Sequence, residues 1–279
     1  MPNPRPDRRQ FHVHLVSDST GETLGEVMRA SVAQFEDVEV IEHLYALVRS
    51  PRQMEKALEE IERAPGVVMY TVVSADMRRR LEDHCQKIGV PALAILDPII
   101  ATLSGYLAMP PSSRAGAQHD LDAQYYERIE ALNYAIMHDD GQGGNLEGAD
   151  VVLLGVSRTS KTPTCIYLAH RGVKAANIPL VNAQSLPPGF ADLKNPLIVG
   201  LTASPERIVQ IRRNRLLSLN EDRTTDYVDD DVVKEEIIAA KRLYARHGWP
   251  TIDVTRRSVE ETAAKVLNLV NDRKAKKNA

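Results

Sequence analysis

The stretch DVVLLGVSRTSKTPT, at residues 150–164, constrains the fold of this chain more than any other part of the sequence. Its apolar run Val151–Leu154 has the length and composition of a buried strand, and Gly155 follows directly. A Lys-Thr pair at 161–162 then opens a segment of helical length. This order of strand, loop, Lys-Thr and helix is the layout of a P-loop, G-x-x-x-x-G-K-[ST]. It predicts a strand–loop–helix unit within an α/β fold.

The spacing of this loop suits phosphate binding. In a P-loop the backbone N–H groups and the helix N-terminus converge on phosphate oxygens. Lys161 would reach the β-phosphate, Thr162 could ligate Mg²⁺, and Arg158 could add a second cation. Ser160 stands where the second glycine is usual, so we expect local strain or a different loop path. The alternative is a polar loop whose hydroxyl groups only cap the helix.

Strands and helices are predicted to alternate along the whole chain. The runs Phe11–Val16, Val38–Leu44 and Gly66–Val73 favour strands, whereas Pro51–Arg63 and Ala75–Ile88 favour helices. Such alternation indicates βαβ units on a parallel sheet. We therefore predict an N-terminal parallel-sheet α/β domain followed by a P-loop-like α/β nucleotide-binding domain. The expected boundaries are residues 1–110 for the first domain, 111–148 for a linker and connecting helix, and 149–279 for the second domain.

Two Ser-x-x-Glu pairs have capping-box spacing and predict helix starts. Ser19 with Glu22 predicts a helix that begins near Thr20 and ends near Phe35. This turn, in the motif SDSTGET, could also hold an anion, a metal or a hydroxyl group at the helix N-terminus. Ser258 with Glu261 predicts the start of the last helix.

A cluster of titratable residues, His138-Asp139-Asp140-Gly141, comes just before the central strand. It ends a helix for which we predict one buried face, formed by Tyr125, Ile129, Leu132 and Ile136. Two adjacent carboxylates beside a histidine could form an acid–base pair or a Mg²⁺ site. The alternative is a polar helix end with Gly141 as the terminator.

Further charged residues follow in the C-terminal part of the chain. Ser204-Pro205-Glu206 is a strong helix start, and this helix carries Arg207, Arg212, Arg213 and Arg215. These arginines could bind phosphate groups, or they could form a solvated helix face. Asp253, at the end of a short strand, could hold Mg²⁺ or cap the following turn.

Composition excludes several classes of protein. The net charge of −3 argues against a general binder of nucleic acid or of a membrane surface. No apolar run is long enough to cross a membrane. The two cysteines, Cys85 and Cys165, share no metal-ligand spacing and suit a reducing cytoplasm, so we expect a cytoplasmic protein. Apolar helices in both domains are compatible with a homodimer.

Several long motifs, in this order, resemble one known family. They are SDSTGET, HDDG, GVSRTSKTP, the strand IPLV, GLTASPERI with its arginines, and IDVT followed by SVEET. This combination is similar to the pyruvate, phosphate dikinase regulatory proteins and to their sister group, the phosphoenolpyruvate synthase regulatory proteins. The resemblance runs from about Phe11 to Asn271.

The resemblance implies a bifunctional enzyme. Members of the family transfer a phosphoryl group from ADP to a threonine of the target enzyme, which inactivates the target. They remove it with inorganic phosphate as the acceptor, and this reaction forms pyrophosphate. The family's ADP-binding segment matches Gly155, Val156, Ser157, Arg158, Thr159, Ser160, Lys161 and Thr162.

The residues suggest roles in this chemistry. Lys161 and Arg158, with Arg207 or Arg212, would stabilise charge on the transferred group, and Asp140 or Asp139 would accept the threonine proton. The metal ligands would be Thr162 and Asp253, with Mg²⁺ as the ion. Three alternatives stay open: the synthase as the target, a P-loop kinase that uses ATP on a small molecule, and a nucleotide-sensing module without catalysis.

Overall fold

The computed structural model describes residues 9–112, 114–116, 123–142, 144–180, 186–187, 189–218 and 226–277. The chain divides into two compact units, Met1–Asp120 and Leu121–Ala279. Each unit contains a four-stranded parallel sheet with helices, so the predicted α/β class is confirmed. None of the described helices is both long enough and apolar enough to span a lipid bilayer.

The first unit is built on a parallel sheet with the strand order β2-β1-β3-β4. Its strands are β1 (Arg9–Ser17), β2 (Val38–Tyr45), β3 (Val67–Thr71) and β4 (Ala92–Ala94). Its helices are α1 (Glu22–Val32), α2 (Pro51–Arg63), α3 (Ala75–Ile88) and α4 (Asp97–Leu107). The C-terminal half of β1 and the centre of β3 are buried, because helices cover both faces of a parallel sheet.

The start of α1 differs from the prediction. The N-cap is Gly21, in the left-handed conformation with φ 82°, and no side chain caps the helix. The Ser19–Glu22 capping box is therefore wrong. A glycine at this turn allows a backbone path that a serine cap would not follow.

Helix α4 was not predicted, and none of its residues is buried. Its apolar side chains lie at the surface, with Tyr106 87% exposed and Leu107 57% exposed. The helix thus lacks the buried stripe that makes an amphipathic helix recognisable in a sequence.

The second unit has a parallel sheet with the order β6-β5-β7-β8. Its strands are β5 (Val151–Gly155), β6 (Ala175–Pro179), β7 (Leu197–Thr202) and β8 (Thr251–Asp253). Its helices are α5 (Ala123–Met137), α6 (Lys161–Ala169), α7 (Pro205–Ser218), α8 (Asp230–His247) and α9 (Val259–Lys277). The side chains of Val151–Leu154 have no exposed surface, which explains the unbroken apolar run of this strand.

Both units share one strand order, in which the first strand lies between the second and the third. In each sheet, the second strand therefore lies on one side of the first strand and the third strand lies on its other side. In open parallel sheets, ligands bind at this switch point, beyond the carboxyl ends of the strands. The loop between β5 and α6 lies at the switch point of the second unit.

The buried face of α5 is not the predicted one. Ile129 is 40% exposed and Ile136 is 60% exposed, whereas Ala131 and Ala135 are buried. The helix packs against α6 and β6 through these alanines, because a small side chain lets the helices approach closely. His138, one turn beyond Ala135, continues the buried face.

Two other helix starts are confirmed. Ser258 and Glu261 form a reciprocal capping box, with Ser258 N donating to Glu261 Oε2 (2.9 Å) and Glu261 N donating to Ser258 Oγ (3.1 Å). At α7, Ser204 Oγ accepts a hydrogen bond from Arg207 N at 3.3 Å.

A buried histidine makes the stability of the first unit depend on pH. His14 has no exposed surface, and its ring contacts the Tyr45 hydroxyl (3.0 Å) and the Ala64 carbonyl (2.7 Å). Burial lowers its pKa, and the nearby His43 and His12 lower it further. Below about pH 6.5, His14 is therefore protonated more readily in the unfolded chain than in the folded chain. The free energy of unfolding should be highest above about pH 6.5 and should fall as the pH drops below that value.

Urea unfolding between pH 7.5 and 5 measures this effect. His14→Leu should reduce the slope of the free energy of unfolding against pH. His170→Leu, at an exposed position, should leave this slope unchanged. An identical slope in His14→Leu and in the wild-type protein would contradict the assignment.

Candidate active site

The loop of residues 155–160 connects β5 to α6. It begins with Gly155, and any other residue at this position would displace neighbouring atoms. A Cβ atom on Gly155 would lie 2.5 Å from Thr159 Oγ1 and 3.0 Å from the Leu201 carbonyl oxygen. Thr159 is itself buried, and its hydroxyl donates to the Val156 carbonyl at 2.9 Å. The first glycine of the pattern is thus required by close packing within the loop.

Ser160 adopts the backbone conformation that a glycine usually supplies. It is the N-cap of α6, with φ 59° and ψ 26°, and Arg158 also has a positive φ of 75°. A left-handed conformation costs an L-residue with a Cβ about 1 kcal/mol or more. The strain expected at Ser160 is therefore present.

Replacing Ser160 by glycine should relieve this strain. Glycine also increases the entropy of the unfolded chain, and this offsets part of the gain. The free energy of unfolding of Ser160→Gly should therefore exceed that of the wild-type protein by between zero and about 1 kcal/mol. Ser157→Gly is the matched comparison, because Ser157 has no positive φ. It should destabilise the protein by about 1 kcal/mol. Denaturant unfolding measures the free energy of unfolding of both variants. An equal loss of stability in Ser160→Gly and Ser157→Gly would show that the Ser160 backbone is not strained.

Lys161, at the first position of α6, is a buried cation. Its side chain is only 6% exposed, and Nζ donates to the Val156 carbonyl at 3.1 Å across the loop. Burial lowers the pKa of Lys161 to about 8, against the opposing pull of the Asp140 and Asp139 carboxylates. Lys161 is therefore protonated at neutral pH, in a site where a charge interacts strongly with its neighbours.

The acidic turn, a 3₁₀ turn formed by Asp139–Gly141, meets the start of α6. The Thr162 hydroxyl donates to Asp139 Oδ1 at 2.8 Å. Asn177, on β6, also donates from Nδ2 to Asp139 Oδ1 and contacts Thr162 Oγ1 at 3.3 Å. The structure thus unites the HDDG motif with the Lys-Thr pair, although they lie about 20 residues apart in the sequence.

Asp140 is the more exposed carboxylate of the acidic turn. Its backbone is left-handed, with φ 50° and ψ 37°, and its N–H donates to Asn177 Oδ1 at 3.1 Å. Among the charged groups near Lys161, Asp140 has the largest effect on its pKa. An exposed carboxylate beside a buried cation can accept a proton from an incoming hydroxyl group.

A second cluster supports the loop from the other side. Arg212 on α7 is 1% exposed, and Nη2 forms an ion pair with Glu236 at 2.7 Å. The guanidinium group lies 4.6 Å from the centre of the Tyr227 ring and donates to the carbonyl oxygens of Tyr227 (3.0 Å) and Ser157 (3.5 Å). Arg212 therefore holds the loop backbone and is not part of a solvated helix face.

The Tyr227 hydroxyl completes this cluster, and the sequence pattern gave no signal for it. It lies 3.2 Å from Ser157 Oγ and accepts from Arg158 Nε at 3.3 Å. Burial alone would raise the pKa of Tyr227, but these hydrogen bonds and the two arginines hold it below its usual value. The environment of this oxygen atom therefore favours negative charge.

Two predicted site residues have described contacts elsewhere. Arg207 is exposed and contacts Gln210 at 3.2 Å. Asp253 lies on β8, and β7 separates this strand from β5. Its Oδ1 accepts hydrogen bonds from Thr255 N (2.8 Å) and Thr255 Oγ1 (2.5 Å), which is the pattern of a turn cap. A role of Asp253 in Mg²⁺ binding stays a prediction.

The oxygen atoms of Thr162 and Asp139 are hard ligands of the kind that Mg²⁺, Ca²⁺ and Mn²⁺ bind. Within the described residues, no three His, Cys, Asp or Glu side chains converge as a metal site. Mg²⁺ does not need such a cage, because it commonly binds one or two protein oxygens together with substrate phosphates and water. The adjacent Thr162 hydroxyl and Asp139 carboxylate therefore fit this ion.

A cavity of about 990 Å³ lies in the first unit at the carboxyl ends of β1 and β3. The SDSTGET motif lines it, together with residues of α3 and α4. Asp18 is 7% exposed there and accepts a hydrogen bond from Val73 N at 2.6 Å. Size alone would favour this cavity as the active site. The 155–160 loop is the better candidate, because a buried lysine, a hydroxyl and two carboxylates converge there.

Comparison with known proteins gives consistent matches over nearly the whole chain. The model of the kinase/pyrophosphorylase family matches residues 13–267. A protein of Maricaulis maris is 69% identical over 264 residues, which cover 95% of each chain. A protein of Caulobacter vibrioides is 62% identical over 95% of this chain and 85% of its own length. A protein of Hyphomonas neptunium is 55% identical over 98% of this chain and 99% of its own length. All three carry the provisional name of a pyruvate, phosphate dikinase regulatory protein.

Proposed function

The chain belongs to the kinase/pyrophosphorylase family, and from this premise we propose that it regulates pyruvate, phosphate dikinase by reversible phosphorylation of a threonine. In the forward direction ADP donates the phosphoryl group and the dikinase is switched off. In the reverse direction inorganic phosphate removes the group, pyrophosphate forms and the dikinase is switched on again.

One observation supports the proposal most directly. Lys161 is buried at the base of the 155–160 loop, next to the acidic turn and to Thr162. A cation, a hydroxyl and two carboxylates at the start of a helix can bind a phosphoryl group, hold a metal ion and move a proton. Each of these groups has a task in phosphoryl transfer.

The forward reaction requires a base and a cation. The threonine oxygen of the target attacks the β-phosphorus of ADP, the bond between this phosphorus and the bridging oxygen breaks, and AMP leaves. Asp140 accepts the threonine proton. Lys161 and Arg158 stabilise the negative charge on the transferred group, and the loop's backbone N–H groups bind its oxygens.

The reverse reaction uses the same groups. An oxygen of inorganic phosphate attacks the phosphothreonine, the bond between phosphorus and the threonine oxygen breaks, and pyrophosphate leaves. Asp140 accepts the proton of the attacking phosphate and passes it to the threonine oxygen as that oxygen leaves. One site therefore serves both directions, because the transferred phosphoryl group occupies the same position beside Lys161 in each.

Thr162 and Asp139 would hold Mg²⁺ through oxygen atoms. The ion would neutralise charge on the phosphate groups. The Thr162–Asp139 hydrogen bond keeps these two oxygens together before any ligand binds. Cytoplasmic location and a homodimer belong to the same proposal; the exposed apolar side chains of α4 favour self-association.

An activity assay of the target tests the proposal. Purified pyruvate, phosphate dikinase and phosphoenolpyruvate synthase are each incubated with the protein, Mg²⁺ and either ADP or ATP. We expect dikinase activity to fall with ADP alone and to return when inorganic phosphate is added. Inactivation of the synthase alone would assign the protein to the sister group. Turnover of ATP without a protein target would indicate a small-molecule kinase, and unchanged ADP with both targets would indicate a binding module.

A further inference from the structure

Asn177 is a buried polar residue at the point where the acidic turn, the start of α6 and the sheet meet. It lies on β6, opposite Leu153 of β5, and its side chain is 1% exposed. A buried amide must satisfy both its donors and its acceptor, since an unpaired group would destabilise the fold. Its hydrogen bonds therefore show what this position requires.

The side chain of Asn177 joins three residues of the site. Nδ2 donates to Asp139 Oδ1 and lies 3.3 Å from Thr162 Oγ1, while Oδ1 accepts from Asp140 N at 3.1 Å. The backbone of Asn177 donates to the His138 carbonyl at 3.2 Å. Both the side chain and the backbone of Asn177 thus attach the acidic turn to β6.

These contacts bear on both carboxylates. Thr162 and Asn177 both donate to Oδ1 of Asp139, which sets the rotamer of this side chain. Asp140 has a left-handed backbone, which an L-residue adopts only when its surroundings hold it there. The hydrogen bond from Asp140 N to Asn177 is one of the contacts that hold it.

No other side chain reproduces this set of contacts. Among side chains of this size, only the asparagine amide carries a donor and an acceptor in one plane. Glutamine would add a methylene group in a buried site, and the histidine ring is larger still. Aspartate would lack the donor and would place a second negative charge against Asp139. The position therefore requires asparagine for its hydrogen bonds rather than for its volume.

We infer that Asn177 is a positioning residue for phosphoryl transfer, which holds Asp140 beside Lys161 and Asp139 beside Thr162. The inference rests on the proposed function for its kinetic consequence. Its geometric consequence does not, because the hydrogen bond from Asp140 N to Asn177 Oδ1 holds the acidic turn whether or not transfer occurs.

Asn177→Ala tests the inference, with Ile178→Val as the matched control. Ile178 is 2% exposed on the same strand, but its side chain points to the opposite face of the sheet. Both changes leave a small cavity, and only the first removes the contacts to the acidic turn. Should Asn177→Ala fail to fold, Asn177→Ser supplies a smaller change, since the serine hydroxyl is too short to reach the turn.

The kinetic readout separates positioning from general destabilisation. A reacting group displaced by about 1 Å lowers the rate on the order of 100-fold. We expect kcat for transfer from ADP to fall about 100-fold in Asn177→Ala, with the KM for ADP within about threefold of the wild-type value. Ile178→Val should change neither. Equal losses in both variants would overturn the inference.

The second readout is hydrogen exchange at the backbone amide of Asp140, followed by NMR. This N–H donates to Asn177 Oδ1 at 3.1 Å. Without the Asn177 amide it should exchange about 10-fold faster or more in Asn177→Ala than in the wild-type protein, and at the wild-type rate in Ile178→Val. An unchanged exchange rate in the Asn177 variants would overturn the inference. If the wild-type protein transfers no phosphoryl group, the proposed function fails, and the exchange rate still decides whether Asn177 holds the acidic turn.

Discussion

Replacing Lys161 by methionine should lower kcat for phosphoryl transfer from ADP about 1000-fold and should leave the protein folded. The side chain is buried beside the site where negative charge develops, and a preorganised donor of this kind commonly contributes 10²- to 10³-fold or more. Methionine fills a similar volume and needs no hydrogen bond. The thermal midpoint should therefore stay the same or rise, because burying a charge is unfavourable for folding.

Lys174→Met is the control for this change. Lys174 is also a cation of the second unit, but it forms a surface ion pair with Glu130 at 2.7 Å. Its replacement should leave kcat within about twofold, because exposed ion pairs contribute little. Equal kcat values in Lys161→Met and Lys174→Met would exclude Lys161 from catalysis.

Replacing Asp140 by asparagine should lower kcat in both directions of transfer about 1000-fold, near the middle of the range for general acid–base catalysis. Asparagine keeps the shape of the side chain but cannot accept the threonine proton or return it. The backbone of Asp140 tolerates the change, because asparagine adopts the left-handed conformation as readily as aspartate.

The Asp140→Asn experiment compares kcat and the KM for ADP. We expect the KM for ADP to change little, since the carboxylate acts on the target threonine and not on the nucleotide. Asp230→Asn, on the exposed start of α8, is the control and should be near wild type. Unchanged turnover of Asp140→Asn in either direction would remove this residue from the mechanism.

Local patterns predicted most of the fold because their causes are local. The helices Pro51–Arg63 and Ala75–Ile88 begin and end at the predicted residues, since a proline start and a glycine after the last turn act within a few residues. The buried strand Val151–Gly155 follows from an unbroken apolar run. The parallel sheets follow from the alternation of strands with helices.

The errors arise where tertiary packing decides. In α5, the large apolar residues Ile129 and Ile136 suggested one face, but the small residues Ala131 and Ala135 form the contact with α6. Helical periodicity records where apolar side chains lie and not which neighbour they meet. Helix α4 shows the same limit, because none of its apolar residues is buried.

The candidate site was predicted only in part for a related reason. The loop around Lys161 is continuous in sequence and was recognised from its spacing. Asn177 and Tyr227 were not, because they reach the site from β6 and from a turn before α8. A single asparagine in an otherwise apolar segment, ANIP, is a sequence signal that could have indicated Asn177. For Arg212 the sequence leaves open phosphate binding or a solvated helix face, and neither includes its buried ion pair with Glu236.

The most direct test of the central claim follows the β-phosphorus of ADP. The wild-type protein is incubated with β-labelled ADP, Mg²⁺ and purified pyruvate, phosphate dikinase, and inorganic phosphate is added after transfer is complete. We predict that label appears on a dikinase threonine with an equal amount of AMP, and that it then leaves as pyrophosphate. Lys161→Met should give neither step. Label that never reaches the dikinase, or transfer that persists in Lys161→Met, would contradict the assignment of this loop as the site of phosphoryl transfer.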